Sequence, residues 1–385
     1  MRSFLVFLVL VCSLHATVLE RSWIIQDSGF VDFTGAVAVN NTNQKVTSLE
    51  ITPGAEHFTD ESGTIWVSYK KNITGPVTVV TAKASMDIDY DEIISDAPIP
   101  NSTIKSTTLT QPNEEIAAKA ASLADNSSSL RTIAKLTDWV YSSVDYDGSY
   151  WNKLTPAVDV FKDRKGICIQ HTHLFISMAQ SLGFETRYVS GYVFTDEWQP
   201  HSWAEVNVPG QGWVSADPTF GHAGMLGDHY VAISYGEDQL SAYDVLLSRN
   251  NDPDLEVSDK LHSNFSSTQP NDVILTIDID NTERIIDVSI TNNRPGYTFG
   301  SYQFLIPNSY GRKESSIMLL APDETIHRYY GLNNSLFQDS YSYDIPLTAR
   351  FNGITLEKTV KINGKQQKTC LPLFVVFLLF IKSWR

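Results

Sequence analysis

Helical periodicity in this 385-residue chain is confined to the middle, and strand-like sequence fills both ends. Residues 17–104 and 270–365 contain short runs rich in Val, Ile and Thr, which Gly, Asn, Asp and Pro separate as turns separate strands. Between these regions, Ile133, Leu136 and Val140 recur at helical spacing. The pattern predicts an α+β fold in which a central unit with helices is flanked by β-sandwich-like N- and C-terminal domains.

The length allows two or three domains. We predict a β-rich N-terminal domain over 17–104, a central domain over 112–250 and a C-terminal β-sandwich over 270–365, for which the sequence suggests six strands. A 42% apolar and 19% charged composition is that of a folded protein. The net charge of −15 is scattered along the chain, which argues against nucleic acid as a partner.

The first residues resemble an export signal. Arg2 precedes the apolar run 4–14, and Ala16 is a plausible cleavage point, so 1–16 is predicted to be a signal peptide. Asn-x-Ser/Thr sequons predict a glycoprotein, and they lie at Asn40, Asn72, Asn101, Asn126, Asn264 and Asn333. We therefore expect the protein to be secreted or to be held at the cell surface.

The C-terminal residues 370–385 form a hydrophobic tail. The run 371–381 is apolar apart from Pro372, but it is about half as long as a membrane-spanning helix needs to be. A weak membrane anchor or a processed sorting tail is one interpretation, and a last strand or a frayed apolar end is the other. The sequence slightly favours attachment to a membrane or cell surface.

Cysteine usage singles out one residue. Cys12 lies in the predicted signal and Cys370 lies beside the tail, which leaves Cys168 alone in the folded body. No disulfide framework is therefore expected in the core. A lone thiol in an exported protein is prone to oxidation, so its presence suggests either burial or chemical use.

Cys168 is predicted to lie in the first turn of a helix. Lys165 and Gly166 end a loop, apolar residues such as Leu174 and Met178 then share a helical face, and Gly183 closes the helix. The unpaired N–H groups at a helix start carry partial positive charge, which favours a thiolate and stabilises an oxyanion at an attacked carbonyl.

A hairpin follows, with strands over 201–208 and 212–217 and a turn at 209–211. If Val208 pairs with Gly212, Trp203 lies opposite Asp217 and His201 becomes the diagonal neighbour of Asp217, about 7–8 Å away at Cβ. A cysteine nucleophile requires a base to accept its proton and a group that orients the base. Cys168, His201 and Asp217 are the candidate catalytic triad.

These motifs resemble the transglutaminase-like superfamily of papain-like cysteine acyltransferases and peptidases. The resemblance is clear over 164–222 and weaker over 112–235, and it is carried by Gly166-Ile167-Cys168, Leu174-Phe175, Gly183 to Val189, Gly191-Tyr192-Val193, His201 to Val206, Gly212-Trp213, Asp217-Pro218-Thr219 and, less specifically, Asp228-His229-Tyr230. It implies a papain-like α+β core with Cys168 as nucleophile, His201 as base and Asp217 as orienter. His171 and Thr172 replace the aromatic and small residues more usual after the cysteine, and Gln180 stands where a basic residue is frequent, so the substrate class is left open.

The sequence therefore predicts an exported thiol enzyme that acts on amide bonds of a protein or peptide through an acyl-enzyme, by hydrolysis or by transfer to an amine. Neither a metal nor an organic cofactor is predicted, because positions 168, 171 and 173 do not converge well on one metal. Substrate contact or the second oxyanion donor is assigned to Tyr150, Trp151 and Trp203, with Tyr146 as a further candidate for the donor. The alternative for Trp203 is packing in the core, as is common for aromatic residues beside a hairpin. The alternative is a catalytically silent cell-surface adhesion or scaffold protein.

Overall fold

The computed structural model describes residues 17–26, 29–89, 93–224, 226–248, 254–263, 273–311, 313–338, 340–352 and 354–363. The predicted signal peptide 1–16, the tail 370–385 and the sequon at Asn264 lie outside these residues. Within the described ranges, no helix combines the length and the apolar character needed to cross a membrane.

The elements follow the order that the sequence suggests, and within the described ranges the α-helices all lie in the middle. Strands come first: β1 (Thr17–Gln26), β2 (Gly29–Val39), β3 (Gln44–Ile51), β4 (Glu56–Thr59), β5 (Thr64–Ile73) and β6 (Thr78–Ile88). The central elements are α1 (Glu114–Leu123), α2 (Ser129–Ser143), β7 (Asp145–Tyr146), α3 (Ala157–Asp163), β8 (Lys165–Gly166), α4 (Cys168–Ser181), β9 (Thr186–Phe194), β10 (Trp198–Val208), β11 (Gly212–Asp217), β12 (His222–Gly224) and β13 (Tyr230–Gly236). Strands then continue with β14 (Val245–Ser248), β15 (Asp254–His262), β16 (Val273–Asp280), β17 (Ile285–Asn292), β18 (Thr298–Leu305), β19 (Glu314–Leu320), β20 (Thr325–Gly331), β21 (Ser342–Phe351) and β22 (Ile354–Asn363). The prediction of an α+β fold is confirmed.

Two antiparallel sheets, ordered β15-β1-β6-β3 and β14-β2-β5-β4, enclose the apolar N-terminal core. Trp23 of β1 and Phe33 of β2 meet in this core with their ring centroids 5.3 Å apart. Strands β14 and β15 come from the far side of the central region, because β14 pairs with β2 and β15 pairs with β1. The sheets therefore cross the predicted boundary at residue 250.

Polar bridges join this N-terminal sandwich to the central sheet. Arg21 of β1 is buried and pairs with Asp259 of β15 at 3.0 Å, and Asp259 also accepts a hydrogen bond from Tyr192 of β9. The Gln44 side chain donates to the Ala232 carbonyl of β13 at 2.8 Å and accepts from the Ala232 N–H at 2.9 Å. These contacts hold the edge of the sheet that carries the candidate site.

The centre of the molecule is α4, which packs on the antiparallel sheet β12-β11-β10-β9-β13. Helices α1, α2 and α3 also contact α4, so every α4 residue from Gln170 to Gln180 is buried. A helix that is enclosed on all sides has little freedom to shift along its axis. Its first residue, Cys168, is held accordingly.

The C-terminal sandwich consists of sheets β16-β17-β20 and β19-β18-β21-β22 around a separate apolar core. Strand β20 was not among the six strands expected from the sequence; it pairs with β17 along its whole length. Phe299 and Leu319 of this sandwich enter the central core, and Asp138 of α2 accepts a hydrogen bond from the Ile317 N–H at 3.0 Å. The C-terminal sandwich thus packs against the outer side of α2.

Candidate active site

Cys168 is the first residue of α4 and is 8% exposed. The preceding residue, Ile167, has an extended backbone, and its N–H donates to Gln170 Oε1 at 3.0 Å. A Cβ atom at Gly166 would overlap the Gln170 side chain, so this position requires glycine. These local contacts start the helix at the cysteine and direct the first N–H groups of α4 toward the space around the thiol.

His201 and Asp217 come together through the β10–β11 hairpin. Val208 pairs with Gly212 and Ala204 pairs with Ala216, which confirms the register expected from the turn. His201 Nε2 lies 2.7 Å from Asp217 Oδ2, and both side chains are buried. The bond to Nε2 leaves Nδ1 of His201 for the thiol. The structure therefore brings all three predicted triad residues together.

The three side chains shift one another's protonation equilibria. Burial alone would lower the pKa of His201, but the charge and hydrogen bond of Asp217, helped by Cys168, raise it to about 10. Burial raises the pKa of the Cys168 thiol, yet hydrogen bonding with His201, the charge of that ring and the proximity of Ser202 bring it below its ordinary value. Both shifts favour an imidazolium beside a thiolate, relative to the isolated side chains.

Asp217 is held by more than the imidazole. Oδ1 accepts the N–H groups of Thr219 at 2.9 Å and Phe220 at 3.3 Å, and Oδ2 also accepts the Tyr230 hydroxyl at 2.7 Å. Burial raises the pKa of Asp217, but His201 and the Tyr230 hydroxyl outweigh burial and lower it. Asp217 therefore stays ionised and fixed in orientation.

Tyr230 is a site residue that sequence reasoning missed. It belongs to the segment Asp228-His229-Tyr230, whose resemblance to the superfamily assigned no role to the tyrosine. Its side chain is fully buried, and it reaches Asp217 from β13, which pairs with β9 on the far side of β10. The apolar character of its neighbours would not have identified this hydroxyl contact.

Comparison with known proteins identifies the family of the central segment. Residues 115–218 match the sequence model of the transglutaminase-like superfamily. This segment is a transglutaminase-like domain. An uncharacterised protein of Mycobacterium leprae is 24% identical over 226 residues, which cover 52% of this chain and 79% of that protein.

Solved structures relate to the transglutaminase-like domain at the level of fold. A crystallised protein of Cytophaga hutchinsonii, provisionally named a cysteine protease, aligns with a TM-score of 0.52 at 20% identity and covers 66% of this chain and 93% of its own. That likeness shows the fold alone. Red sea bream transglutaminase aligns over 89% of this chain and 77% of its own at 8% identity, with a low TM-score of 0.24.

Trp203 is placed in the interior of the transglutaminase-like domain. It is 1% exposed and packs behind His201, with ring centroids 6.1 Å apart, and its other ring neighbour is Tyr230 at 5.3 Å. Phe220 covers His201 from a different element, at 5.0 Å, and is 38% exposed. Trp203 thus packs against the His201 ring inside the domain, whereas Phe220 packs against the same ring and is partly exposed to solvent.

Tyr150 and Trp151 lie at the surface of the domain. The Tyr150 hydroxyl is 3.5 Å from Asp163, and Lys153 lies over its ring, so this side chain is directed toward α3. Trp151 is 65% exposed. The structure does not bring either one into the group formed by Cys168, His201 and Asp217.

Other tyrosines lie nearer the thiol. Tyr146, whose ring is 6.3 Å from that of His171, has its pKa raised by burial and by Cys168. Tyr243 shows the same two influences and is 45% exposed, and Tyr188 does so from a fully buried position. Sequence reasoning named Tyr146 and missed Tyr188 and Tyr243, because β9 and the segment before β14 meet the helix start only in the folded chain.

The two histidines of α4, His171 and His173, have different neighbours. The His171 ring nitrogens lie 2.9 Å from the Ile167 carbonyl and 3.1 Å from the Val144 carbonyl, whereas the His173 ring packs on Tyr188 at 5.6 Å. Across the described ranges, no group of three or more His, Cys, Asp and Glu side chains is arranged to hold a metal ion.

Proposed function

We propose that this chain is an exported transglutaminase-like thiol enzyme that acts on amide bonds in proteins or peptides. The observation that carries the proposal is the buried 2.7 Å bond from His201 Nε2 to Asp217 beside the cysteine that starts α4. Nucleophile, base and orienting carboxylate are the parts that thiol acyl transfer requires.

The geometry supports a two-stage reaction. The Cys168 thiolate attacks the amide carbon and forms a tetrahedral oxyanion, to which the Cys168 backbone N–H is a suitable donor. His201 then gives its proton to the departing amine as the C–N bond breaks, which leaves a thioester on Cys168. In the second stage His201 takes a proton from water or from an amine as that nucleophile attacks the thioester, and the thiolate is released.

Hydrolysis is the outcome that we favour, because an exported enzyme meets water at high concentration. The provisional name of the Cytophaga hutchinsonii protein, a cysteine protease, points the same way. Transfer to an amine would require that the site exclude water. No cofactor takes part in either course.

Export has its own support. Each sequon within the described ranges has an exposed asparagine, at Asn40, Asn72, Asn101, Asn126 and Asn333. The predicted signal and the apolar tail are consistent with a secreted protein or one retained at the cell surface.

Alkylation with iodoacetamide tests the thiol chemistry without knowledge of the substrate. Peptide mapping assigns the label to Cys168, since Cys12 and Cys370 also carry thiols. We expect fast labelling of the wild type and labelling slowed by roughly a hundredfold in His201→Ala. His327→Ala is the matched control, because His327 also contacts a carboxylate, Asp287, at 3.0 Å but lies exposed in the C-terminal sandwich. Slow labelling that His201→Ala leaves unchanged would favour the scaffold alternative.

Substrate class requires a second experiment. The wild type is incubated under reducing conditions with a peptide library and a labelled primary amine, and the products are identified by mass spectrometry. Cleavage, deamidation and amine incorporation change the peptide mass differently. Any of these products, absent with Cys168→Ala, supports the proposal, and the kind of product decides between hydrolysis and transfer.

A further inference from the structure

A single hydroxyl group joins the helix that carries the nucleophile to the strand that carries the base. Thr172 Oγ1 donates to the Cys168 carbonyl at 2.8 Å and lies 3.2 Å from the Ser202 carbonyl. Thr172 is fully buried, and Ser202 is 2% exposed. Because the hydroxyl carries one hydrogen, the two carbonyls share it.

The bridge lies next to the reacting groups on both sides. Cys168 is itself the residue at one end, and Ser202 directly follows His201 at the other. The Ser202 hydroxyl is buried and lies near the Cys168 thiol and the Tyr188 hydroxyl, where it favours the ionised form of each group, although burial still raises the pKa of Tyr188. Ser202 therefore faces the thiol and belongs to its immediate surroundings.

Apolar packing alone would leave this alignment loose. Ala204 and Val206 of β10 pack in the same core as Leu174 of α4, but contact between apolar surfaces has no preferred direction. A hydrogen bond between the elements is directional and fixes their offset.

We propose that Thr172 is a positioning residue, whose hydroxyl ties the first turn of α4 to Ser202 and so sets the Cys168 sulfur against the His201 ring and the Ser202 donors. The inference rests on the proposed function, in which that sulfur is the nucleophile. Thr172 does not touch the reacting atoms and acts through the two carbonyls.

The competing explanation is that Thr172 merely satisfies its own hydroxyl, as threonines within helices commonly do with the carbonyl four residues earlier. Thr137 of α2 provides a matched control for that effect. It is buried, and its hydroxyl donates to the Ile133 carbonyl at 2.8 Å. Thr137→Val removes one such bond in a different helix, α2.

The test compares Thr172→Val, Thr172→Ser and Thr137→Val in the full chain. Iodoacetamide labelling of Cys168 is followed from about pH 5 to 9, which gives the midpoint of thiol ionisation, and thermal unfolding is recorded in parallel. We expect Thr172→Val to slow labelling at neutral pH by about tenfold and to move the midpoint upward by about one unit. Thr172→Ser retains the hydroxyl and should keep both values within about twofold of the wild type. Thr137→Val should lower the melting temperature and leave the midpoint in place.

An unchanged midpoint in Thr172→Val would overturn the inference, and so would equal midpoint shifts in Thr172→Val and Thr172→Ser. If Thr172→Val does not yield folded protein, Thr172→Ala against Thr172→Ser gives the same comparison. His201→Ala separates the two levels of the proposal. Labelling that His201→Ala does not slow would contradict the proposed function, whereas slowing by His201→Ala with no effect of Thr172→Val would reject the positioning role alone.

Discussion

His201 and His173 are both buried in the transglutaminase-like domain, and their protonation equilibria are shifted in opposite directions. His201 is 7% exposed and its pKa is raised to about 10, whereas His173 is 0% exposed and its pKa is lowered to about 4. Burial favours the neutral ring in both cases. The two regions therefore differ in their partners rather than in their access to water.

Direct contact with a carboxylate explains the difference. Asp217 accepts a hydrogen bond from His201 at 2.7 Å, while Asp238 influences His173 only through space. His173 Nε2 is also 3.4 Å from the Gln239 N–H, a donor that requires a neutral acceptor nitrogen. Of these two buried rings, only the one in contact with a carboxylate has its pKa raised.

Asp217→Asn should have the largest effect of the substitutions that test this comparison. The amide removes the negative charge that raises the pKa of His201, so the difference between His201 and His173 should shrink. We expect Cys168 labelling to slow by up to roughly a hundredfold, as far as His201→Ala slows it, because Asp217 acts on the thiol through His201. Turnover of any substrate found by the library screen should fall in parallel.

Asp238→Asn is the control for this carboxylate. Asp238 Oδ1 accepts the Leu240 N–H at 2.8 Å, a bond that an asparagine oxygen retains. Its labelling rate should stay within about twofold of the wild type, since the bond to His201 is untouched. Equal losses in the two variants would show that proximity of negative charge, rather than contact, sets the pKa of His201.

His173→Gln tests the other half of the comparison through stability. A folded-state pKa near 4, below the ordinary value of 6.5, means that the unfolded chain binds more protons between those values. The free energy of unfolding of the wild type should therefore decrease as pH falls from about 6.5 to about 4, by on the order of 3 kcal/mol. The variant should lack this part of the slope.

Urea unfolding at several pH values, followed by circular dichroism, measures that slope. The change with pH is compared rather than the absolute stability, because replacing a buried histidine with glutamine also changes the packing. His327→Gln is the control, since His327 is exposed and lies in the C-terminal sandwich. Parallel slopes in wild type and His173→Gln would contradict the assignment of a neutral ring.

Tyr230→Phe removes one hydrogen bond to Asp217 and leaves the negative charge of the carboxylate in place. The variant loses the 2.7 Å hydroxyl bond to Oδ2, and the pKa of Asp217 should rise in consequence. A hydrogen bond to a charged group contributes about 1.5–3 kcal/mol, so labelling of Cys168 should slow by roughly tenfold. Tyr235→Phe is the control, because Tyr235 lies on the same strand and its hydroxyl accepts from Asn41 instead. A wild-type rate in Tyr230→Phe would mean that the remaining contacts suffice to hold Asp217.

The sequence predicted the parts of the site that local geometry determines. Cys168 at a helix start follows from Gly166 and the apolar stripe of α4, and the approach of His201 to Asp217 follows from the hairpin register alone. Both predictions require only the residue spacing of a regular helix or strand and the position of one turn. The α+β class followed in the same way from helical spacing confined to the middle of the chain.

Contacts that depend on sheet order could not be predicted from these patterns. Tyr230 reaches Asp217 because β13 joins the sheet beside β9, and nothing in the residues 230–236 specifies that neighbour. Strands β14 and β15 return to the N-terminal sandwich, and their alternation between partly buried and exposed residues gives a weak signal. Trp203 was predicted to contact substrate, but it is buried. Strand alternation indicates which face of the sheet a side chain occupies and does not indicate how deeply that face is buried.

Tyr188→Phe should have the smallest effect, and it asks whether the two histidine regions are independent. Tyr188 lies between them, since its ring packs on His173 and its hydroxyl lies near Ser202 and Cys168. Phenylalanine preserves the packing and removes only the hydroxyl. We expect Cys168 labelling to change by less than about threefold, because His201 supplies the dominant stabilisation of the thiolate. The pH dependence of stability assigned to His173 should be unchanged. A shift of both properties together would show that the regions are coupled through this hydroxyl, and the opposite pKa values of the two histidines would then have to be explained as one network.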